Sequence, residues 1–165
     1  MDESTAQFEI PAHVVDREIY VMPAFATILV TDLDLARRWY AAMGFVELAV
    51  LPGPGEGPSL VHLRRYRYQD LLLVPAPDGA PTGTGAARIS FAHTGALSEL
   101  DEIAAALRDA GSGAVDGPNE TPWFAVEVVG RDADGNTVVL TGRSETPPPT
   151  EWTDEIHSSL IEPEA

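Results

Sequence analysis

Residues 25–45 decide the fold, and they read FATILVTDLDLARRWYAAMGF. The first six residues are apolar and partly β-branched, which predicts a strand. Asp32 is a typical helix N-cap, and the apolar residues after it recur at helical spacing up to Gly44, which ends the helix. One helix face is therefore predicted to be buried, with the members Leu33, Ala36, Trp39, Tyr40 and Met43.

The same order of elements occurs twice along the chain. Strand-like segments at 45–51, 60–65 and 71–74 complete a first β-α-β-β-β unit. After a linker at 76–86 rich in Pro, Gly and Thr, a second unit follows, with strands at 88–93, 114–115, 123–129 and 137–141 and a helix at 97–107. The sequence predicts an α+β protein of two βαβββ modules, at about residues 22–75 and 87–142.

Two segments flank the predicted domain at 21–143. Residues 1–20 are acidic, and residues 144–165 are acidic and rich in proline, with Pro147, Pro148 and Pro149 forming a stiff spacer. Beyond the spacer, Trp152, Ile156 and Leu160 recur every four residues and predict a short helix. Two interpretations stay open for it: a frayed tail, or a helix docked on this subunit or on a partner.

Composition excludes several classes of function. The 165 residues carry 26 acidic and 10 basic side chains, a formal charge of −16, which disfavours nucleic acid and anionic lipid as partners. There is no cysteine and no lysine, so thiolate chemistry, zinc ribbons and Schiff bases are excluded. No apolar run is long enough for a membrane span, and the acidic N-terminus is unlike a signal peptide, so we expect a cytoplasmic protein.

Two motifs resemble a known family. They are Val30-Thr31-Asp32-Leu33, leading to Trp39-Tyr40 and Gly44-Phe45, and Arg131-Asp132-Ala133-Asp134-Gly135-Asn136 before the last strand. In order and spacing they are similar to the vicinal oxygen chelate superfamily, which includes glyoxalase I, extradiol dioxygenases, fosfomycin-resistance enzymes and bleomycin-resistance proteins. The resemblance implies paired βαβββ modules, each curling into a cup.

The resemblance also implies positions for metal ligands. In this chain they fall on Phe25, on Arg88 (or Ala87), on Val139 and on the strand at 71–74, and none of these residues is a metal-ligand type. We therefore expect a metal-free member with no cofactor and no catalytic residues.

Metal-free dimers of this superfamily include proteins that sequester an antibiotic. Thr121-Pro122-Trp123 resembles their Pro-Trp segment with its stacking aromatic, although Phe124-Ala125 stands where they commonly have Gly and a basic residue. We expect a homodimer that binds a bleomycin-type glycopeptide, or a polycyclic aromatic such as an enediyne or quinone, without turnover. The alternatives are a metal-independent lyase, isomerase or cyclase of the same superfamily, and an interaction module with no small ligand.

The resemblance, combined with strand alternation and residue type, implies the candidate ligand-binding residues. Each also has a structural interpretation: a half-buried core ring for Trp123, an ion pair for Arg88, a rim position for Glu127 and a solvated hairpin tip for 63–68. The four histidines are too scattered to predict a metal site. The predicted set is Trp123, Phe25, Thr27, Leu29, Arg88, Ser90, Glu127, Val139, His62 and Tyr66.

Overall fold

The first module is one four-stranded sheet with one helix. The computed structural model describes residues 17–19 and 22–159. Asp32 begins the helix as predicted, since its Oδ1 accepts a hydrogen bond from the Leu35 amide at 2.9 Å. The sheet order is β1-β4-β3-β2, with only β1 and β4 parallel. The elements are β1 (Phe25–Val30), α1 (Leu33–Ala42), β2 (Val46–Pro52), β3 (Pro58–Arg64) and β4 (Asp70–Pro75).

The second module repeats this arrangement. Its sheet order is β5-β8-β7-β6, and its helix ends at Gly111, whose φ of 66° is the left-handed conformation that glycine adopts without strain. The elements are β5 (Ile89–His93), α2 (Ser98–Ala110), β6 (Ala114–Glu120), β7 (Ala125–Arg131) and β8 (Thr137–Arg143). The α+β fold of paired βαβββ modules is thereby confirmed.

One hydrophobic core joins the two modules. Helices α1 and α2 contact each other, and both sheets contribute one face to the same buried cluster. In β1 the core residues are Ala26, Ile28 and Val30, so Phe25, Thr27 and Leu29 lie on the opposite face. We call this side of each sheet, opposite to the helices, its outer face. It corresponds to the lining of the predicted cup.

Two strand predictions in the second module are wrong. Strand β6 does not end before Gly117 but runs to Glu120, with a register shift between Asp116 and Asn119. Strand β7 begins at Ala125 instead of Trp123, because residues 121–125 form a turn.

The C-terminal part of the chain contains a third helix, α3 (Thr150–Ser159). It follows the proline-rich spacer and carries Trp152 and Ile156 of the predicted apolar stripe. Leu160, the third member, lies outside the described residues, as does most of the predicted acidic segment at 1–20.

Candidate functional site

The outer face of β1 carries three predicted site residues. The Phe25 and Thr27 side chains are exposed, Phe25 with 55% of its surface accessible, and Leu29 is half-buried. Leu51, 45% exposed, lies on the same face because it pairs with Leu60, which alternates in phase with His62 of β3. Phe25 and Leu51 are thus exposed on the same face but at opposite corners of the sheet, since Phe25 begins one edge strand and Leu51 lies near the end of the other.

A buried charged cluster occupies the same face beside Phe25. Asp70 is the register partner of both Phe25 and Arg64. Its Oδ1 accepts a hydrogen bond from Arg64 Nε at 2.8 Å and lies 2.6 Å from His62 Nε2. Arg64 also donates from Nη1 to the Glu18 carbonyl at 3.0 Å. His62 is one of the predicted ligand-binding residues. It lies on the outer face, but it is only 3% exposed and its Nε2 contacts Asp70.

Sequence reasoning missed this cluster. The interpretation of 63–68 as a solvated hairpin tip is wrong for Arg64 and Arg65, since both are fully buried. A usable signal existed, because an antiparallel hairpin closed by a turn at 65–69 places Arg64 directly opposite Asp70. Pairing of opposite charges across the two strands was therefore predictable.

The outer face of the second sheet is more polar. Arg88 directly precedes β5 and is exposed, as is Ser90. Val139 is the register partner of Ser90 and shares its face, but it is 1% exposed and lies outside the core cluster. Glu127, opposite Thr141, is half-buried, and its carboxylate has no hydrogen-bond or ion-pair partner in the described part of the chain.

Trp123 lies at the tip of the β6–β7 hairpin. The Thr121 amide donates to the Ala125 carbonyl at 2.8 Å, and the Phe124 amide donates to the Thr121 carbonyl at 3.1 Å, which closes a tight turn. Trp123 is 56% exposed. Strand alternation does not relate Trp123 to Glu127, because it holds only inside a strand and Trp123 precedes β7.

Tyr66 lies away from the outer face. It follows the buried Arg65, whose guanidinium carbon is 4.4 Å from the Tyr66 ring centroid, and its ring is 6.0 Å from that of His93. Arg65 donates from Nη2 to His93 Nδ1 at 2.7 Å and from Nε to the Met43 carbonyl at 3.2 Å. These residues join the β3–β4 turn of one module to the end of β5 in the other.

The geometry defines the protonation state of His93. A guanidinium only donates, so Nδ1 accepts from Arg65 and the proton is on Nε2, which donates to the Ala96 carbonyl at 2.9 Å. Burial, followed by the facing charge of Arg65, lowers the pKa of His93. Burial likewise lowers the pKa of Arg65. The contact between the modules therefore contains one cation, one neutral imidazole and the Glu99 carboxylate, whose Oε2 lies 3.3 Å from His93 Nε2.

The turn at 131–136 connects the modules at another point. Tyr40 Oη of α1 donates to Asp132 Oδ2 at 2.9 Å, and burial, then the Asp132 charge, raises the pKa of Tyr40. Asn136 Nδ2 donates to the Leu29 carbonyl at 3.1 Å, and Asp134 accepts from both the amide and the hydroxyl of Thr31. The residues that carry the family resemblance therefore have a structural role.

The positions implied for metal ligands do not fit a metal. Phe25 and Val139 have no donor atom, and Arg88 is a cation. The outer face of β4 offers Asp70, which is already bound by Arg64 and His62. Across residues 17–19 and 22–159, no three His, Asp or Glu side chains are grouped so that they could hold a metal ion.

Comparison with known proteins agrees with this fold. The family model described as Glyoxalase/Bleomycin resistance protein/Dioxygenase superfamily matches residues 19–140. No curated protein sequence matches the chain. None of the described helices has the length and apolarity needed to cross a membrane.

Several solved structures are similar to the chain. A glyoxalase/bleomycin resistance protein from Streptomyces sp. CB03234 is 28% identical, with a TM-score of 0.53 over 70% of this chain and 96% of its own. TnmS3, an antibiotic binding protein from the same organism, is also 28% identical, with a TM-score of 0.55 over 73% and 93%. A bleomycin-binding protein in complex with bleomycin shares the fold at 18% identity, with a TM-score of 0.51 over 73% and 98%. The motifs, the paired βαβββ modules and the family match together place this chain in the glyoxalase/bleomycin resistance protein/dioxygenase superfamily.

Proposed function

We propose that this protein binds a natural-product antibiotic and sequesters it without chemical change, which gives self-resistance. The observation that carries the proposal is the outer face of β1, where the exposed ring of Phe25 stands at a position implied for a metal ligand. An aromatic ring at this position cannot bind a metal ion, but it can stack against a planar ligand. The 28% identity to an antibiotic binding protein supports the same class of function.

The guest that suits these surfaces is large and has a planar aromatic part. The side chains of Phe25, Leu51 and Trp123 are each about half exposed, so each offers apolar surface for a guest to cover. Ser90, Thr27 and half-buried Glu127 supply the few polar groups that orient a ligand in an apolar site. Bleomycin-type glycopeptides and polycyclic drugs such as enediynes or quinones both have such a planar part.

We also propose that the protein is a cytoplasmic homodimer in which the outer faces of two subunits enclose the guest. The exposed apolar side chains on those faces support a dimer, since a second subunit would bury apolar surface that is accessible in a single subunit. Light scattering on purified protein should give twice the 17.7 kDa chain mass. A mass of one chain at micromolar concentration would contradict the dimer.

The binding test uses bleomycin, a polycyclic quinone drug and an enediyne. Trp39 is buried, Trp152 is half-buried and Trp123 is exposed, so saturable quenching of fluorescence upon drug addition should be much weaker in Trp123→Phe. Trp123→Ala and Phe25→Ala should each weaken binding at least about ten-fold, equivalent to ~1.4 kcal/mol. Val50→Ala is the control, since Val50 is similarly exposed but projects from the other side of β2. Equal effects of all three alanine variants would contradict the assigned surface.

A metal-independent lyase, isomerase or cyclase is the second candidate, and Glu127 favours it. A half-buried carboxylate without a protein partner is a group that could move a proton on a bound substrate. Mass spectrometry of drug recovered after incubation separates the candidates, because an enzyme alters the drug and a sequestering protein returns it unchanged. Glu127→Gln should abolish any alteration if the enzyme hypothesis is correct.

A further inference from the structure

The turn that presents Trp123 contains a residue in an unfavourable conformation. Phe124 has a φ of 59°, in the left-handed region where a bulky side chain is rare and strained. Three-residue hairpin loops use this conformation at their last position, where glycine is the residue without strain. Something outside the loop must therefore stabilise Phe124 in place.

The C-terminal segment contacts Phe124 at two points. The Ser144 amide, just beyond β8, donates to the Phe124 carbonyl at 3.1 Å. The chain then passes through the proline spacer and returns as α3, where the Trp152 ring packs edge-on against the Phe124 ring, with 5.0 Å between centroids and an interplanar angle of 71°. Both the backbone and the ring of Phe124 are thus held by residues 144–159, which lie beyond the part of the chain that the family model matches.

We propose that Trp152 is a positioning residue for Trp123: by packing on Phe124, helix α3 holds the β6–β7 turn in the conformation that presents the Trp123 ring to the guest. The proposal rests on the proposed function for the identity of the guest. Trp123 itself is 56% exposed and precedes Phe124 directly, so its orientation depends on the backbone of this turn. Pre-ordering of a side chain before binding removes an entropy cost that would otherwise weaken affinity.

Two variants test this in the full-length chain, Trp152→Ala and Trp152→Phe. Both retain the same two tryptophans, buried Trp39 and exposed Trp123, so a difference between their fluorescence signals reports on Trp123. Without drug, Trp123 should rotate faster in anisotropy decay and be quenched more by acrylamide in Trp152→Ala than in Trp152→Phe. Glu155→Ala, an exposed change on the same helix, is the control and should change neither signal.

The second readout is affinity for whichever drug of the panel the wild type binds. Loss of pre-ordering of one large side chain should raise the dissociation constant roughly two- to twelve-fold in Trp152→Ala, with rescue by Trp152→Phe. Equal Trp123 mobility in the alanine and phenylalanine variants would overturn the proposal. So would faster rotation in Trp152→Ala with unchanged affinity. If the wild type binds no drug while the mobility difference is present, the positioning of Trp123 is supported and the proposed function alone is refuted.

Discussion

Replacement of Tyr40 by phenylalanine tests whether the turn at 131–136 holds the two modules together. Tyr40 is fully buried on α1, and its hydroxyl donates to Asp132 Oδ2 at 2.9 Å across the module boundary. The variant keeps the ring and its edge-on contact with Phe45, at 5.9 Å between centroids, and removes only the hydroxyl. The measured loss therefore belongs to one hydrogen bond and not to packing.

The size of the expected loss in stability depends on the hydrogen bonds that Asp132 retains in the variant. A hydrogen bond to a charged group contributes about 1.5–3 kcal/mol to stability. Asp132 Oδ2 still accepts from Asn136 Nδ2 at 2.9 Å, and Oδ1 still accepts from the Asp134 and Asn136 amides. Both oxygens of the carboxylate therefore still have hydrogen-bond donors. We expect a loss of about 1.5–2 kcal/mol in the free energy of unfolding, near the lower limit of that range.

Urea denaturation followed by circular dichroism measures this loss as a lower midpoint at an unchanged slope. Tyr68→Phe is the matched control, because Tyr68 is exposed in the β3–β4 turn and surface changes of this kind stay within about 0.5 kcal/mol. If Tyr40→Phe lost no more than Tyr68→Phe, the hydrogen bond across the modules would contribute nothing and the structural role of the motif would be refuted.

Of three further predictions, two concern buried polar groups and the third concerns a close approach between two backbone segments. Folding lowers the pKa of His93, so as the pH falls the unfolded chain binds a proton before the folded chain does. The free energy of unfolding should therefore decrease below about pH 6.5, by at most ~1.4 kcal/mol per pH unit. This decrease should be smaller in His93→Gln when unfolding is measured from pH 7.5 to 5. Asp70→Ala removes the fully buried carboxylate that both Arg64 Nε and His62 Nε2 contact and should lower the free energy of unfolding by about 3–5 kcal/mol, whereas a loss below about 1 kcal/mol in urea titration would contradict a stabilising buried pair. Gly113→Ala places a Cβ against the Arg131 backbone carbonyl, so its thermal midpoint should fall by several degrees, and an unchanged midpoint would contradict the close approach.

The parts of the fold that the sequence predicted are those determined by neighbouring residues. The helix after Asp32 depends on its own cap and on apolar spacing within ten residues, and both are visible in the sequence. The outer and inner faces of β1 follow from alternation within six residues. The α+β class and the two modules follow because these local signals occur twice in the same order.

The parts that were missed depend on residues distant in sequence. Trp123 and Phe124 look like the start of a strand, but the left-handed Phe124 is stabilised by Trp152 and Ser144, which no local pattern connects to it. The burial of Arg64 depends on strand register and on the Glu18 carbonyl from the other end of the chain. The ligand-binding roles assigned to Trp123, Phe25 and the other candidates stay predictions, because they depend on a guest and not on the fold.

Equilibrium binding followed by recovery of the drug tests the proposed function most directly. The purified protein is titrated separately with bleomycin, a polycyclic quinone drug and an enediyne. The bound drug is then released by denaturation, and its mass is measured by mass spectrometry. Sequestration predicts saturable binding of at least one drug, a loss of about ten-fold or more in affinity in Trp123→Ala, and recovery of the drug at its original mass. No saturable binding across the panel, or a drug returned with an altered mass, would contradict it.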